Sequence, residues 1–112
     1  MSESYNYDLK IEGLVADREY LIYRLFKTVS EARAHLDENG KSVGGDYDWR
    51  SLEDDMRTFS KLHPDFLFII DERTVYDGEV TEVRHYSKNG RYVALEPVVV
   101  VTWPDFSEAL LY

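Results

Sequence analysis

Three histidines, His35, His63 and His85, are the residues best suited to proton transfer or metal ligation near neutral pH. Their spacing forms no ligand set. His35 falls near a helix end, His63 precedes Pro64 and His85 sits within a strand-like segment, so each reads as structural or exposed. When protonated, His63 would suit the C-terminal end of a helix. Carboxylates are abundant, with Asp46 and Asp48 two residues apart and Glu53, Asp54 and Asp55 consecutive. General acid catalysis or metal binding needs such groups to converge from different elements, which neighbours in one segment do not guarantee. Asp46-Tyr47-Asp48 does not open an EF-hand loop, because the required glycine and glutamate do not follow. Gly44-Gly45 lacks the Lys-Ser/Thr of a phosphate loop. The chain has no cysteine and no G-x-S-x-G. The expectation is a protein with no catalytic residue, no metal and no cofactor.

Aromatic residues carry more information. Nine tyrosines and two tryptophans exceed what one small core requires. Tyr20 and Tyr23 flank the apolar stripe of a helix, whereas Tyr47, Trp49 and Tyr76 stand in loop-like stretches among Asp and Glu. Such residues either cover sheet ends or offer a large contact area at low entropic cost. The second reading gives a candidate partner-binding set of Asp46, Tyr47, Asp48, Trp49, Glu53, Asp54 and Asp55. The formal net charge of −9 disfavours direct binding to a phosphate backbone. It suits either a solvated acidic surface or one that docks onto a basic partner.

These residues need elements to position them. Ser51 with Asp54 forms a capping-box-like start to a helix whose apolar face holds Leu52, Met56, Phe59 and Leu62 or His63. Pro64 ends that helix at about Lys61–His63. The apolar run Phe66–Ile70 reads as a central strand buried on both faces. Upstream, Tyr5, Tyr7, Leu9 and Ile11 alternate with polar residues as a strand with one buried face. Asp17 caps a helix with a stripe through Leu21 or Ile22, Leu25, Phe26, Val29, Ala32 and Leu36, whose last turns can form a separate helical piece. Asp37–Asp48 reads as a mobile loop, and Tyr47 with Trp49 as a short edge strand. Asp71–Glu79 reads as a polar connection with a turn at Asp77-Gly78. Lys88-Asn89-Gly90-Arg91 marks a hairpin that sets Tyr86 against Val93 and Val80 against Val99. Pro97 interrupts the returning strand, Val98–Val101 continues it, and Phe106–Leu111 closes the chain with one helical turn.

The resulting order, β-α-(β)-α-β-β-β, predicts a single α+β domain over residues 1–112. Its expected form is a ferredoxin-like antiparallel sheet with two helices on one face. The N-terminal residues do not read as a signal peptide, and no apolar stretch reaches membrane-spanning length, which points to a cytoplasmic protein without membrane contact.

Glu53–Arg91 resembles the small ferredoxin-like proteins carried by bacteriophages and plasmids. The likeness rests on Asp55-Met56, Phe59-Ser60-Lys61, Pro64-Asp65, Leu67-Phe68, Tyr86 and Lys88-Asn89-Gly90-Arg91. Members of that group carry a Gly/Glu-rich loop and a tryptophan between strand and hairpin, where this chain has DERTVYDGEVTEV. The resemblance implies an origin on a mobile element. It also implies a non-enzymatic inhibitor, anti-CRISPR-like, acting in the cytoplasm of a host bacterium. Its partner would be a host protein with a basic surface, such as a nucleic-acid-binding defence complex, met through an acidic face that imitates nucleic acid. The alternatives are a small enzyme or ligand-binding domain, and a homodimeric structural or regulatory subunit paired through a sheet edge.

Overall fold

The computed structural model describes residues 3–13, 17–97 and 103–112. A four-stranded antiparallel sheet runs in the order β1 (Glu3–Glu12), β2 (Leu67–Tyr76), β3 (Glu79–Lys88), β4 (Arg91–Leu95). Helix α1 (Arg18–Thr28), a 3-10 helix at Ser30–Ala34 and helix α2 (Leu52–Leu62) all fall between β1 and β2. The class is α+β. Among the described residues each strand pairs with its neighbour in sequence. A ferredoxin-like sheet instead needs a split β-α-β unit with a third strand in the gap. Here β1 lies directly against β2 in antiparallel register, so the expected crossover is absent from the described sheet.

The local signals explain most elements. Asp17 Oδ1 accepts from the Tyr20 amide at 3.1 Å, which caps α1. The chain breaks at Val29 and resumes as the 3-10 helix, as the low propensity around Thr28 and Ser30 predicts. Two tight turns carry positive φ at both central residues, Asp77-Gly78 and Asn89-Gly90, the requirement of the two-residue hairpin. Tyr86 faces Val93, as expected, while Val99 lies outside the described residues, as does Val98–Val101 as a whole. β4 ends at Leu95, two residues before Pro97. A 3-10 turn at Glu108–Leu110 closes the chain.

Three local expectations are corrected. Asp71–Tyr76 is not a connection but the second half of β2, because Asp71, Glu72 and Arg73 each pair across to β1 and β3. Ser51 makes no capping bond to the helix backbone, since its hydroxyl donates to Asp55 Oδ2 at 2.7 Å instead. The loop after Leu36 is tied to the sheet. Gly45 O accepts from the Tyr5 amide at 2.9 Å and Gly40 O from the Leu9 amide at 2.8 Å, so the loop covers the outer edge of β1. Gly40 makes this approach feasible. Its φ is +76°, and a Cβ there would meet Arg18 Nη2 at 2.7 Å.

The apolar residues divide between the two faces of the sheet. One cluster joins Tyr7, Leu9, Phe68, Ile70 and Tyr92 to Ile22 and Leu25 of α1 and to Leu52, Met56 and Phe59 of α2. The other joins Ile69, Tyr86 and Val93 to Leu111, with Leu67, Leu95 and Phe106 packed against it. Phe106 stacks on Tyr86 with ring centroids 3.9 Å apart. Tyr92 and Tyr112 exchange two backbone hydrogen bonds, of 2.9 and 3.0 Å, so the C-terminal residues cover the edge of β4.

Candidate functional site

The chain from Asp46 to Asp55 leaves the β1-edge loop and enters α2, and Trp49 anchors it. Trp49 is only 2% exposed. Its ring stacks on His35 at 5.3 Å and meets Tyr7 edge-on at 5.7 Å. Its indole Nε1 donates to Asp55 Oδ2 at 2.8 Å, and its amide donates to the Tyr7 hydroxyl at 2.8 Å. Trp49 is therefore a core residue, not an edge-strand or surface contact. The alternation Asp46-Tyr47-Asp48-Trp49 already places Tyr47 and Trp49 in sequence positions of equal polarity, so sequence alone does not separate their fates.

The other six candidates divide into tethered and free groups. Asp55 is held by Trp49 and Ser51, and Asp48 Oδ1 lies 3.2 Å from the Tyr7 hydroxyl. Glu53 pairs with Arg57 one turn later at 2.9 Å, a contact of modest strength at an exposed site. The side chains of Asp46, Tyr47 and Asp54 are exposed and make no hydrogen bond or ion pair among the described residues. Tyr47 is 78% exposed. The structure thus brings one free Tyr and two free carboxylates onto a short segment whose backbone is pinned from below.

Under that segment lies a polar row that crosses all four strands. Tyr92 Oη and His85 Nδ1 are 2.6 Å apart, His85 Nε2 and Glu72 Oε1 are 2.7 Å apart, and the Tyr7 hydroxyl lies 3.3 Å from Glu72 Oε2. Register accounts for this line. Tyr7 stands opposite Glu72, while His85 and Tyr92 are displaced by one same-face step on successive strands. Burial pushes both tyrosine hydroxyls well above their ordinary pKa, and the nearby Glu72 reinforces the shift. Both phenols are therefore neutral donors. The tautomer that satisfies every partner has Tyr92 donating to His85 Nδ1 and His85 Nε2 donating to Glu72. Such a row can relay a proton, but its tyrosines are buried and hold no reactive phenolate. Individual residues in the sequence do not reveal it, because partners 13 and 65 residues apart meet only through sheet register.

The remaining histidines are packed. The His35 ring is sandwiched against Trp49 and Tyr7, and its buried Nε2 makes no hydrogen bond, with Glu31 Oε1 3.4 Å away but poorly aligned. His63 lies against Phe59 with ring centroids 4.7 Å apart. Burial, then the Arg24 cation, lowers its pKa, so the fold favours neutral His63 rather than the protonated form expected at a helix end. Tyr5 is held at the surface by its hydrogen bond to Glu3, which pushes its hydroxyl up to about 12. No group of three or more His, Asp or Glu side chains suited to a metal ion occurs among the described residues. No helix among them is long and apolar enough to cross a membrane. Comparisons with protein-family models, curated proteins and solved structures return no match to this chain.

Proposed function

We propose that this protein is a non-enzymatic, acidic protein-binding module that inhibits a basic host protein. We place it with the anti-CRISPR-like products of phages and mobile elements, acting in the bacterial cytoplasm. The observation that carries this reading is the contrast within one segment: Tyr47 is almost fully exposed between Asp46 and Asp48, while Trp49 two residues later is locked in the core. An anchored backbone loses little conformational entropy on binding, so its exposed side chains contact a partner at low cost. Residues 46–55 contain five carboxylates and one arginine. That density suits a surface which otherwise binds phosphates, and it speeds encounter through long-range attraction.

An antiparallel sheet with helices packed on it is the part of the ferredoxin-like plan that the fold supports, and the consecutive strand order departs from that plan. Buried residues of α1 and α2 join the same core cluster as Tyr7, Leu9, Phe68 and Ile70, which supports both helices sharing one sheet face. The homodimer alternative draws less support, because the loop covers the outer edge of β1 and the C-terminal residues cover that of β4.

The test is capture from a bacterial lysate with the wild-type protein and with a variant carrying Asp46→Asn, Tyr47→Ala, Glu53→Gln and Asp54→Asn. Asp48, Trp49 and Asp55 stay unchanged because they hold the fold. The expected outcome is a basic, nucleic-acid-binding protein that wild type retains and the variant loses. Equal retention by both proteins would reject this face, and capture of no such protein would reject the inhibitor reading.

A further inference from the structure

Among the described residues, the C-terminal ones cover only part of the sheet face opposite Trp49, through Phe106 and Leu111. Beside them lies a cavity of about 480 Å³, within the size range of small-molecule sites. Its floor is two cross-strand rows. Asn6, Arg73 and Glu82 stand directly opposite one another on β1, β2 and β3, and Asp8, Asp71 and Arg84 form the adjacent row. The rows are two residues apart, hence on the same face and about 7 Å apart along the strands.

The second row is largely neutralised internally. Arg84 donates from Nε and Nη2 to the two carboxylate oxygens of Asp71, at 2.5 and 3.3 Å, and Lys10 lies 3.7 Å from the same carboxylate. The Arg84 guanidinium is also fixed over the Trp103 ring, 4.2 Å from its centroid. Trp103 therefore forms one wall of the cavity. Three charges in the cavity remain: Asp8, Glu82 and Arg73 make no ion pair among the described residues. Arg73 and Glu82 face each other in register yet do not close on one another, and Asp8 sits opposite a like-charged Asp71.

We infer that this cavity binds a small zwitterion of the amino-acid type. Its carboxylate would lie against Arg73 with the Asn6 amide beside it, its ammonium against one of the two flanking carboxylates, Asp8 or Glu82, and its side chain along Trp103. A simple cation would leave Arg73 repelling it, and a simple anion would meet two carboxylates. A ligand with both charges satisfies Arg73 together with a neighbouring carboxylate. The site is independent of the Asp46–Asp55 segment, whose anchor packs on the other face of the sheet.

The test is a titration followed by two-dimensional NMR, with three probes of one shape: leucine, leucinamide, which has only the cation, and N-acetylleucine, which has only the anion. The expected result is a saturable shift of the Trp103 indole signal, with leucine binding about tenfold more tightly than either derivative, the scale of one charged hydrogen bond. A variant with Asp8→Asn and Glu82→Gln should weaken leucine and leucinamide but not N-acetylleucine. Arg73→Gln should weaken leucine and N-acetylleucine but not leucinamide. The Trp49 indole signal reports whether each variant keeps its core. Leucinamide binding as tightly as leucine would mean that only net negative charge attracts the ligand and would overturn the inference. So would the lack of a saturable shift at Trp103. The wild-type comparison of the three probes decides even if a variant unfolds.

Discussion

At the scale of single residues, Trp49 and Tyr47 share a composition and part in burial. Trp49 ties the acidic segment to β1 through Tyr7 and to the end of the 3-10 helix through His35, and its indole N–H fixes Asp55. Trp49→Ala is expected to destabilise the fold by about 3–5 kcal/mol, the range for deleting a buried aromatic ring. Trp49→Phe is expected to cost less, since it keeps the ring contacts and loses mainly the hydrogen bond to Asp55. Denaturant unfolding measures both. Tyr47→Ala should leave stability within about 0.5 kcal/mol, as for an exposed side chain with no partner. His63 gives a pH dependence with a definite sign. Its pKa in the folded protein lies below the ordinary value near 6.5, so the unfolded chain binds more protons in the window just below that value. Stability is retained above the window and falls as the pH drops through it. Unfolding curves of wild type and His63→Gln between pH 7.5 and about 5 should diverge, with the shallower decline in the variant.

At the scale of elements, the parts fixed by local chemistry are legible in the sequence. Alternation at Tyr5–Ile11, the cap at Asp17, the stop at Pro64 and the turn at Asn89-Gly90 each act within a few residues, and each appears where expected. The second half of β2 is not legible, because Asp71, Glu72 and Arg73 look like loop residues until their partners on β3 are known. Arg84 and His85 make a strand of them. The same reason hides the loop's role. DENGKSVGGD reads as mobile on composition, yet its carbonyls meet the free amides of the β1 edge, which no local pattern encodes. Gly40 is the residue on which that contact turns. Gly40→Ala combines a positive φ with a clash against Arg18, whose Nη2 bridges Leu9 O and Asn39 O at 2.8 Å each. The expected loss is about 1–3 kcal/mol, as for other residues held in that backbone region. Amide hydrogen exchange should also accelerate at Leu9 and Tyr5 in this variant. Unchanged protection there would mean that the loop does not cover the edge.

At the scale of the whole molecule, charge is distributed unevenly. Residues 46–55 carry a net charge of −4, whereas 18–33 carry +2, within a chain of net −9. The candidate acidic segment was therefore visible as composition. Which of its members are available was not, since Asp48 and Asp55 are engaged by Tyr7, Trp49 and Ser51, and Trp49 is core. Both outer strands of the described sheet have their edges covered, by the loop at β1 and by Tyr112 at β4, which limits association through backbone pairing. In the proposed binding mode the contacts fall to side chains, with the exposed Tyr47, Asp46 and Asp54 presented from a segment anchored by Trp49.

We propose that this acidic segment competes for a surface meant for nucleic acid. The most direct measurement is the affinity of the captured partner for its nucleic acid, with and without this protein, at low and at physiological salt. Wild type is expected to displace the nucleic acid, added salt to weaken the displacement, and the Asp46→Asn, Tyr47→Ala, Glu53→Gln, Asp54→Asn variant not to displace it. Simultaneous binding of nucleic acid and this protein, or equal displacement by the variant, would rule out this competition.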